Sequence, residues 1–118
     1  MKKLKIIGLT LLILMMTTTT VFATNYSSVY VTGYTGTTDA TMAITGQNQY
    51  GIATINASGA FSGFIFEYCK GSQKQYKYNE PDGGTKTIRY YMSSSCTYQL
   101  YVTKDGDFPV NGEIKNYE

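Results

Sequence analysis

The sequence predicts an all-β fold, an antiparallel two-sheet sandwich of about eight short strands. Apolar and polar residues alternate with a period of two through most of the chain after residue 23, and turn-forming residues recur about every ten positions. No segment repeats its apolar residues at the 3.6-residue spacing of a helix. A small closed β-barrel is the alternative, because short alternating strands fit both architectures.

Residues 1–23 have the features of a cleavable secretory signal peptide. Lysines near the first residue precede an apolar run over 6–16, and the small residue Ala23 precedes the predicted cleavage site. The run is too short for a membrane-spanning helix, which needs about 20 apolar residues. We therefore predict a released, extracellular protein formed by residues 24–118, with no stable membrane anchor after cleavage.

The predicted mature part is one domain with little net charge. It keeps seven basic and eight acidic residues, a net charge of −1, so no overall field attracts nucleic acid or an anionic membrane. It also carries all twelve tyrosines. Tyrosine suits half-buried sheet faces and recognition surfaces, because its ring is apolar and its hydroxyl is polar.

Cys69 and Cys96 are predicted to form a structural disulfide, because an exported chain meets oxidising conditions and the cysteine count is even. The alternative, a redox-active or metal-binding pair, needs closer spacing or further ligands. The chain has no histidine that could complete a metal site. We predict no metal and no cofactor.

The first strands follow from alternation between turn residues. Strands are predicted over 26–32, 39–45 and 49–57, with Met42 and Ile44 on one side of the second. The most apolar strand covers 60–69, with Phe64, Phe66 and Tyr68 on one side and Phe61 and Ile65 on the other. It is predicted to lie centrally with both faces partly covered, and Gly63 is predicted to mark a bulge.

Residues 80–84 have the strongest turn sequence, Glu-Pro-Asp-Gly-Gly, and predict a hairpin that pairs 75–79 with 85–92. In that register the inward face is Tyr76, Tyr78, Ile88, Tyr90 and Met92. The outward face is Gln75, Lys77, Thr87, Arg89 and Tyr91.

The last part of the chain alternates again over 97–103, and 104–107 predicts a second hairpin turn with an Asp-Gly centre. Phe108, Val110 and Ile114 are then predicted to form short edge pieces around Pro109. The disulfide would join the end of strand 60–69 to the start of strand 97–103.

Catalytic candidates are few. Without histidine the chain lacks the usual base for a nucleophilic serine, so Ser93, Ser94 and Ser95 are interpreted as a polar loop. Glu67, in an apolar strand, is the candidate acid for a glycan-cleaving enzyme, which requires a paired carboxylate. An ion-paired or solvent-facing glutamate is the simpler interpretation, and no enzyme activity is expected.

The outward face of the predicted hairpin is the candidate binding surface. Lys77 and Arg89 supply charge and Tyr91 a ring, a combination suited to an anionic polymer. We expect a bacterial binding module whose partner is a cell-wall polymer or a surface protein. In size and composition the chain resembles small secreted bacteriocins and surface-interaction modules of bacteria. A secreted bacteriocin-like antagonist is therefore the alternative function, and a glycan-cleaving enzyme the second alternative.

Overall fold

The computed structural model describes residues 24–118, and this part of the chain forms nine strands and no helix. Their bounds are β1 Tyr26–Val31, β2 Thr38–Ala40, β3 Ile44–Thr45, β4 Gln49–Ala57, β5 Phe61–Cys69, β6 Ser72–Glu80, β7 Gly84–Met92, β8 Cys96–Lys104 and β9 Val110–Lys115. The predicted signal peptide, with its cleavage site after Ala23, lies outside the described residues. Within residues 24–118, no helix has the length and apolar character needed to cross a membrane.

The strands form two separate antiparallel sheets. The four-stranded sheet has the order β1-β9-β4-β7, and the five-stranded sheet has the order β2-β8-β5-β6 with β3 also paired to β8. Because the two sheets remain separate, the predicted sandwich is confirmed and the closed alternative is not formed. Val29 and Val31 of β1 and Ala53 and Ile55 of β4 point inward and are buried.

The core lies between the sheets and comes from alternate residues of the long strands. Phe61, Ile65 and Leu100 of the five-stranded sheet are fully buried, as are Ile55 and Ile114 of the four-stranded sheet. Burying each such side chain stabilises the fold by about 1.5–3 kcal/mol. The period-two pattern of the sequence therefore sets which side of each strand meets the core.

The predicted strand over 39–45 is wrong, because the chain forms two short strands, β2 and β3, with a break at Thr41. The Thr41 hydroxyl accepts the N–H of Leu100, and the Thr41 N–H donates to the Leu100 carbonyl. The Thr41 hydroxyl takes the place of a backbone acceptor in the ladder to β8, so the strand is interrupted. Met42 is 78% exposed instead of lying beside the buried Ile44.

The predicted hairpin over 75–92 is also wrong. β6 pairs with β5, and β7 pairs with β4, so the two strands belong to different sheets. The turn at residues 81–83 carries the chain from one sheet to the other, and Tyr76 contacts Tyr90 across the gap with ring centroids 6.1 Å apart. Tyr78 of β6 and both Ile88 and Met92 of β7 are nevertheless buried, because the two edge strands direct these side chains into the same core. Tyr76 is exposed.

A second predicted hairpin fails for the same reason. β8 belongs to the five-stranded sheet and β9 to the four-stranded sheet, so residues 105–109 connect the layers. β9 is not an edge piece but lies between β1 and β4. Pro109 fits because it precedes the strand, and Val110 and Ile114 are fully buried.

Gly63 does not mark a bulge. The register of β5 with β6 and β8 runs without interruption from Phe61 to Cys69. The glycine is required instead by a close approach, because the Tyr78 side chain passes over it and its hydroxyl donates to the Tyr101 carbonyl oxygen, 2.7 Å away. A Cβ atom at Gly63 would lie 2.0 Å from that oxygen. The predicted central position of β5, between β6 and β8, is confirmed.

The disulfide between Cys69 and Cys96 is present, as predicted. The two cysteines are direct partners in neighbouring strands β5 and β8, with Cα atoms 4.3 Å apart. The bridge fits an extracellular protein, where oxidising conditions keep such a bond intact. The covalent loop that it closes contains β6 in one sheet and β7 in the other, so it links both layers.

Candidate functional site

The structure divides the predicted binding face between two opposite surfaces. Gln75 and Lys77 lie on β6, on the outer face of the five-stranded sheet, whereas Thr87, Arg89 and Tyr91 lie on β7, in the four-stranded sheet. All five are exposed, as predicted, but they do not form one surface. Each group has its own aromatic neighbours, so we describe the two outer faces separately.

The outer face of the five-stranded sheet carries a row of three rings, Phe64, Phe66 and Tyr68, which we call the aromatic column. They alternate along β5 with the core residues and are therefore on the solvent side of the sheet. At the rise of an extended strand, successive rings are about 6.6 Å apart. Phe64 and Phe66 are partly exposed, and Tyr68 is 47% exposed.

Tyr101 of β8 contacts two of the three rings of the column. Its ring stacks on Phe64 with the centroids 4.6 Å apart and the planes 13° apart. Phe66 meets the same ring edge-on at 6.4 Å. Such aromatic pairs stabilise by about 0.5–1.5 kcal/mol beyond the area they bury, so the rings are ordered before any ligand arrives.

Polar side chains border the column on both sides. On the β6 side, Lys77 is the register partner of Phe64, Gln75 of Phe66 and Gln73 of Tyr68. On the β8 side, the partners of Phe66 and Tyr68 are Gln99 and Thr97. Two of the predicted site residues, Gln75 and Lys77, therefore flank a row of rings.

A hollow of about 430 Å³ lies at the Phe64 end of the column. Besides Phe64 it is lined by Ser62, Lys77, Asn79 and Thr103. The surface therefore offers rings along one half and hydroxyl, amide and ammonium groups at the other, which suits an extended ligand with both apolar and polar faces.

On the opposite face of the sandwich, the predicted residues Arg89 and Tyr91 line a second hollow of about 450 Å³ together with Tyr50, which we call the Tyr50–Arg89 hollow. The Arg89 guanidinium carbon lies 3.8 Å from the centre of the Tyr50 ring. Tyr50 and Tyr91 are register partners and meet edge to face at 5.5 Å. Arg89 is ion-paired with Glu118, and Asn48 and Gln49 complete the lining.

Glu67 lies on the inner side of β5, close to the edge of the core. Its register partners are Tyr98 on β8 and Lys74 on β6. Burial raises the pKa of the Tyr90 and Tyr98 hydroxyls, and the nearby Glu67 carboxylate raises the pKa of both further. Tyr98 also accepts the Ser93 N–H at 2.8 Å, so these groups form a hydrogen-bonded cluster.

We expect the free energy of unfolding to fall as the pH rises from about 10 towards 12. Burial raises the pKa of Tyr98 to about 12 and that of Tyr78 still higher, whereas tyrosine in an unfolded chain has its ordinary pKa of 10.0. The unfolded chain then loses protons that the folded protein keeps, so the stability present below pH 10 is lost at higher pH. Urea unfolding across this range should show the decline, and Tyr98→Phe should make it shallower. An identical pH profile in Tyr98→Phe would contradict the assignment.

Among the described residues, no three or more cysteine, aspartate or glutamate side chains are grouped in a way that could hold a metal ion. No protein-family model matches the sequence, and no curated protein matches it either.

The aromatic column was not singled out from the sequence, although its residues were placed on one side of the strand. Phe64, Phe66 and Tyr68 occupy positions i, i+2 and i+4 opposite Phe61 and Ile65. In a two-layer sandwich one face of a central strand meets the core and the other meets solvent. This rule could have identified the aromatic column from the sequence. It was not applied, because both faces of the strand were expected to be covered.

Proposed function

We propose that this protein is an exported, non-catalytic binding module that holds a cell-wall polysaccharide along the aromatic column. The observation that carries the proposal is the row of Phe64, Phe66 and Tyr68 on the solvent side of the sheet, in which Phe64 and Phe66 pack against Tyr101. These rings do not belong to the core formed between the sheets. Rings held on a rigid sheet and open to water are typical of a recognition surface.

A polysaccharide matches this surface in chemistry. The C–H faces of sugar rings are apolar and pack against aromatic rings, whereas the hydroxyl groups need hydrogen-bonding partners. Gln73 and Gln75 beside the column supply amide donors and acceptors. An extended chain lying along β5 would contact the rings below it and the β6 amides at one side.

The charge of the surface supports a bacterial wall polymer with scattered anionic groups. Lys77 lies beside Phe64 and lines the adjoining hollow. One ammonium group next to uncharged amides and hydroxyls attracts an occasional anionic substituent without requiring a densely charged polymer.

Sedimentation of the purified protein with isolated bacterial cell walls tests the proposal. We expect Phe66→Ala to weaken binding about tenfold or more, because truncating a central ring in an interface removes a dominant contact. Lys77→Ala should weaken wall binding less than Phe66→Ala does, and the binding that remains should be less sensitive to salt.

Tyr34→Ala is the matched control, since Tyr34 is 90% exposed in the loop between β1 and β2 and lines neither the column nor its hollow. It removes a ring that is more exposed than Phe66 and should leave binding unchanged. Absence of wall binding by the wild-type protein, or equal binding by Phe66→Ala, would contradict the proposed function.

A further inference from the structure

We propose that the Tyr50–Arg89 hollow is a second saccharide site, selective for neutral sugars, so that one molecule can bridge two polysaccharide chains. The site itself is argued from its own residues. The bridging rests on the proposed function of the aromatic column.

The hollow has an apolar corner with a polar rim. The Tyr50 and Tyr91 rings stand at 81° to one another, and the Arg89 guanidinium covers one face of Tyr50. Both rings remain accessible, with 43% of Tyr50 and 50% of Tyr91 exposed. Two exposed rings in fixed contact form a preorganised surface for the C–H face of a sugar.

The state of Arg89 determines which ligand charge the hollow accepts. Its guanidinium stacks on Tyr50 and is paired with the Glu118 carboxylate through both Nε and Nη2. The carboxylate takes up two of the five N–H donors of the guanidinium and neutralises its charge, so the hollow holds no uncompensated cation that would favour an anionic ligand. The sequence suggested that Arg89 would attract an anionic polymer, but the ion pair cancels its charge.

The same ion pair gives the hollow adjacent donors and acceptors. The pair is partly exposed, with side-chain accessibilities of 59% for Arg89 and 43% for Glu118. Neighbouring hydroxyl groups of a sugar both donate and accept hydrogen bonds, so they can bind across an arginine–carboxylate pair. A neutral saccharide is therefore the ligand class that uses every group present.

Two amide residues fix the other wall of the hollow. The Asn48 side-chain oxygen accepts the N–H of Ser94 at 2.9 Å, and the Gln49 amide donates to the Asn116 carbonyl. Asn48 has a φ of 57°, in the left-handed region that asparagine tolerates better than most residues. The volume of about 450 Å³ lies within the range of small-ligand sites, which suits a short saccharide segment.

The positions of the two sites would let one protein molecule bind two polysaccharide chains at once. The aromatic column is on the outer face of one sheet and the hollow on the outer face of the other, with the core between them. Packed sheets are about 10 Å apart, so the sites face away from each other. Ligands at the two sites would be separate chains or distant parts of one chain, and the protein would crosslink a wall.

Titration with a neutral N-acetylglucosamine tetrasaccharide, followed by NMR of the isotopically labelled protein, tests the second site. The measurements use the Phe66→Ala protein, in which the column is disabled, so that the hollow is observed alone. We expect chemical-shift changes at Tyr50, Arg89 and Tyr91. Adding Tyr91→Ala should lower the affinity by about tenfold or more.

Two further variants sharpen the test. Arg89→Lys keeps the charge but loses the fork and the ring stacking, and should weaken binding as well. Tyr30→Ala is the control, because Tyr30 is 57% exposed on β1 of the same sheet and outside this hollow. No shifts in the hollow, or equal affinity after Tyr91→Ala, would overturn the second site. Binding of sulfated but not neutral saccharides would also overturn it.

Agglutination of wall particles distinguishes this inference from the proposed function. We expect the wild-type protein to agglutinate them as a monomer, and Tyr91→Ala to bind walls without agglutinating. Bridging would be overturned, and the proposed function left intact, by two results together. Phe66→Ala would lose wall binding, and Tyr91→Ala would still agglutinate the particles. Tetrasaccharide binding at the hollow together with full wall binding by Phe66→Ala would overturn the column and keep the second site.

Discussion

Gly63→Ala should destabilise the protein by about 3 kcal/mol or more, or prevent it from accumulating in soluble form. The added methyl group would lie 2.0 Å from the Tyr101 carbonyl oxygen and 2.5 Å from the Tyr78 hydroxyl. The carbonyl belongs to the backbone of β8 and cannot move without breaking the ladder. Displacing Tyr78 would also break its hydrogen bond to Tyr101 and disturb a buried ring. Chemical denaturation of the purified variant measures the loss.

Gly71→Ala separates this steric effect from backbone strain. Gly71 has a φ of 83°, but no atom lies within 4 Å of the position a Cβ would take. Alanine there costs about 1–2 kcal/mol, the penalty for a left-handed conformation alone. Equal destabilisation by the two substitutions would show that Tyr78 does not cross Gly63 in the folded protein.

Replacing both cysteines, as Cys69→Ala/Cys96→Ala, should lower the free energy of unfolding by about 3.5 kcal/mol. The bridge spans 27 residues, and the chain-entropy model assigns its effect mainly to restriction of the unfolded chain. Since small domains have total stabilities of about 5–15 kcal/mol, this loss is a large fraction of the whole. Thermal and urea unfolding of the double variant measure it.

Reduction of the wild-type protein provides the comparison. A thiol reductant should lower the unfolding midpoint of the wild-type protein towards that of the double variant and leave the variant unchanged. The variant should still fold, because β5 and β8 remain paired through the register from Phe61 to Tyr68. A wild-type midpoint that does not respond to full reduction would contradict a stabilising role for the bridge.

The sequence predicted the fold class and the buried side of most strands, because burial in a sandwich follows a two-residue period. Val29, Ile55, Leu100 and Val102 are buried where alternation placed them. This information is local, since each strand shows its own apolar side whatever its neighbours are. The disulfide was predictable for a similar reason, because two cysteines allow one pairing.

Strand pairing was not predictable from the same pattern. The turn sequences at 80–84 and 104–107 fit a hairpin, but a turn of this kind can also carry the chain to the facing sheet. Which occurs depends on partners far away in sequence, such as β4 for β7 and β5 for β6. The candidate site was divided for this reason, since Lys77 and Arg89 were placed on one surface by an assumed pairing.

Buried polar residues were also beyond sequence reasoning. Asn116 is 1% exposed, and it accepts the N–H of Asn25 and donates to the carbonyl of Thr45. These partners lie 91 and 71 residues away along the chain. Nothing near Asn116 in the sequence distinguishes it from an exposed asparagine, because its role depends on where three distant segments meet.

The most direct test of the binding claim is an NMR titration of the labelled wild-type protein with soluble fragments of bacterial wall polysaccharide. Our account predicts that ring signals of Phe64, Phe66, Tyr68 and Tyr101 shift together and saturate, and that the signals of Tyr34 do not move. Saturating binding that leaves these four rings unperturbed would contradict it.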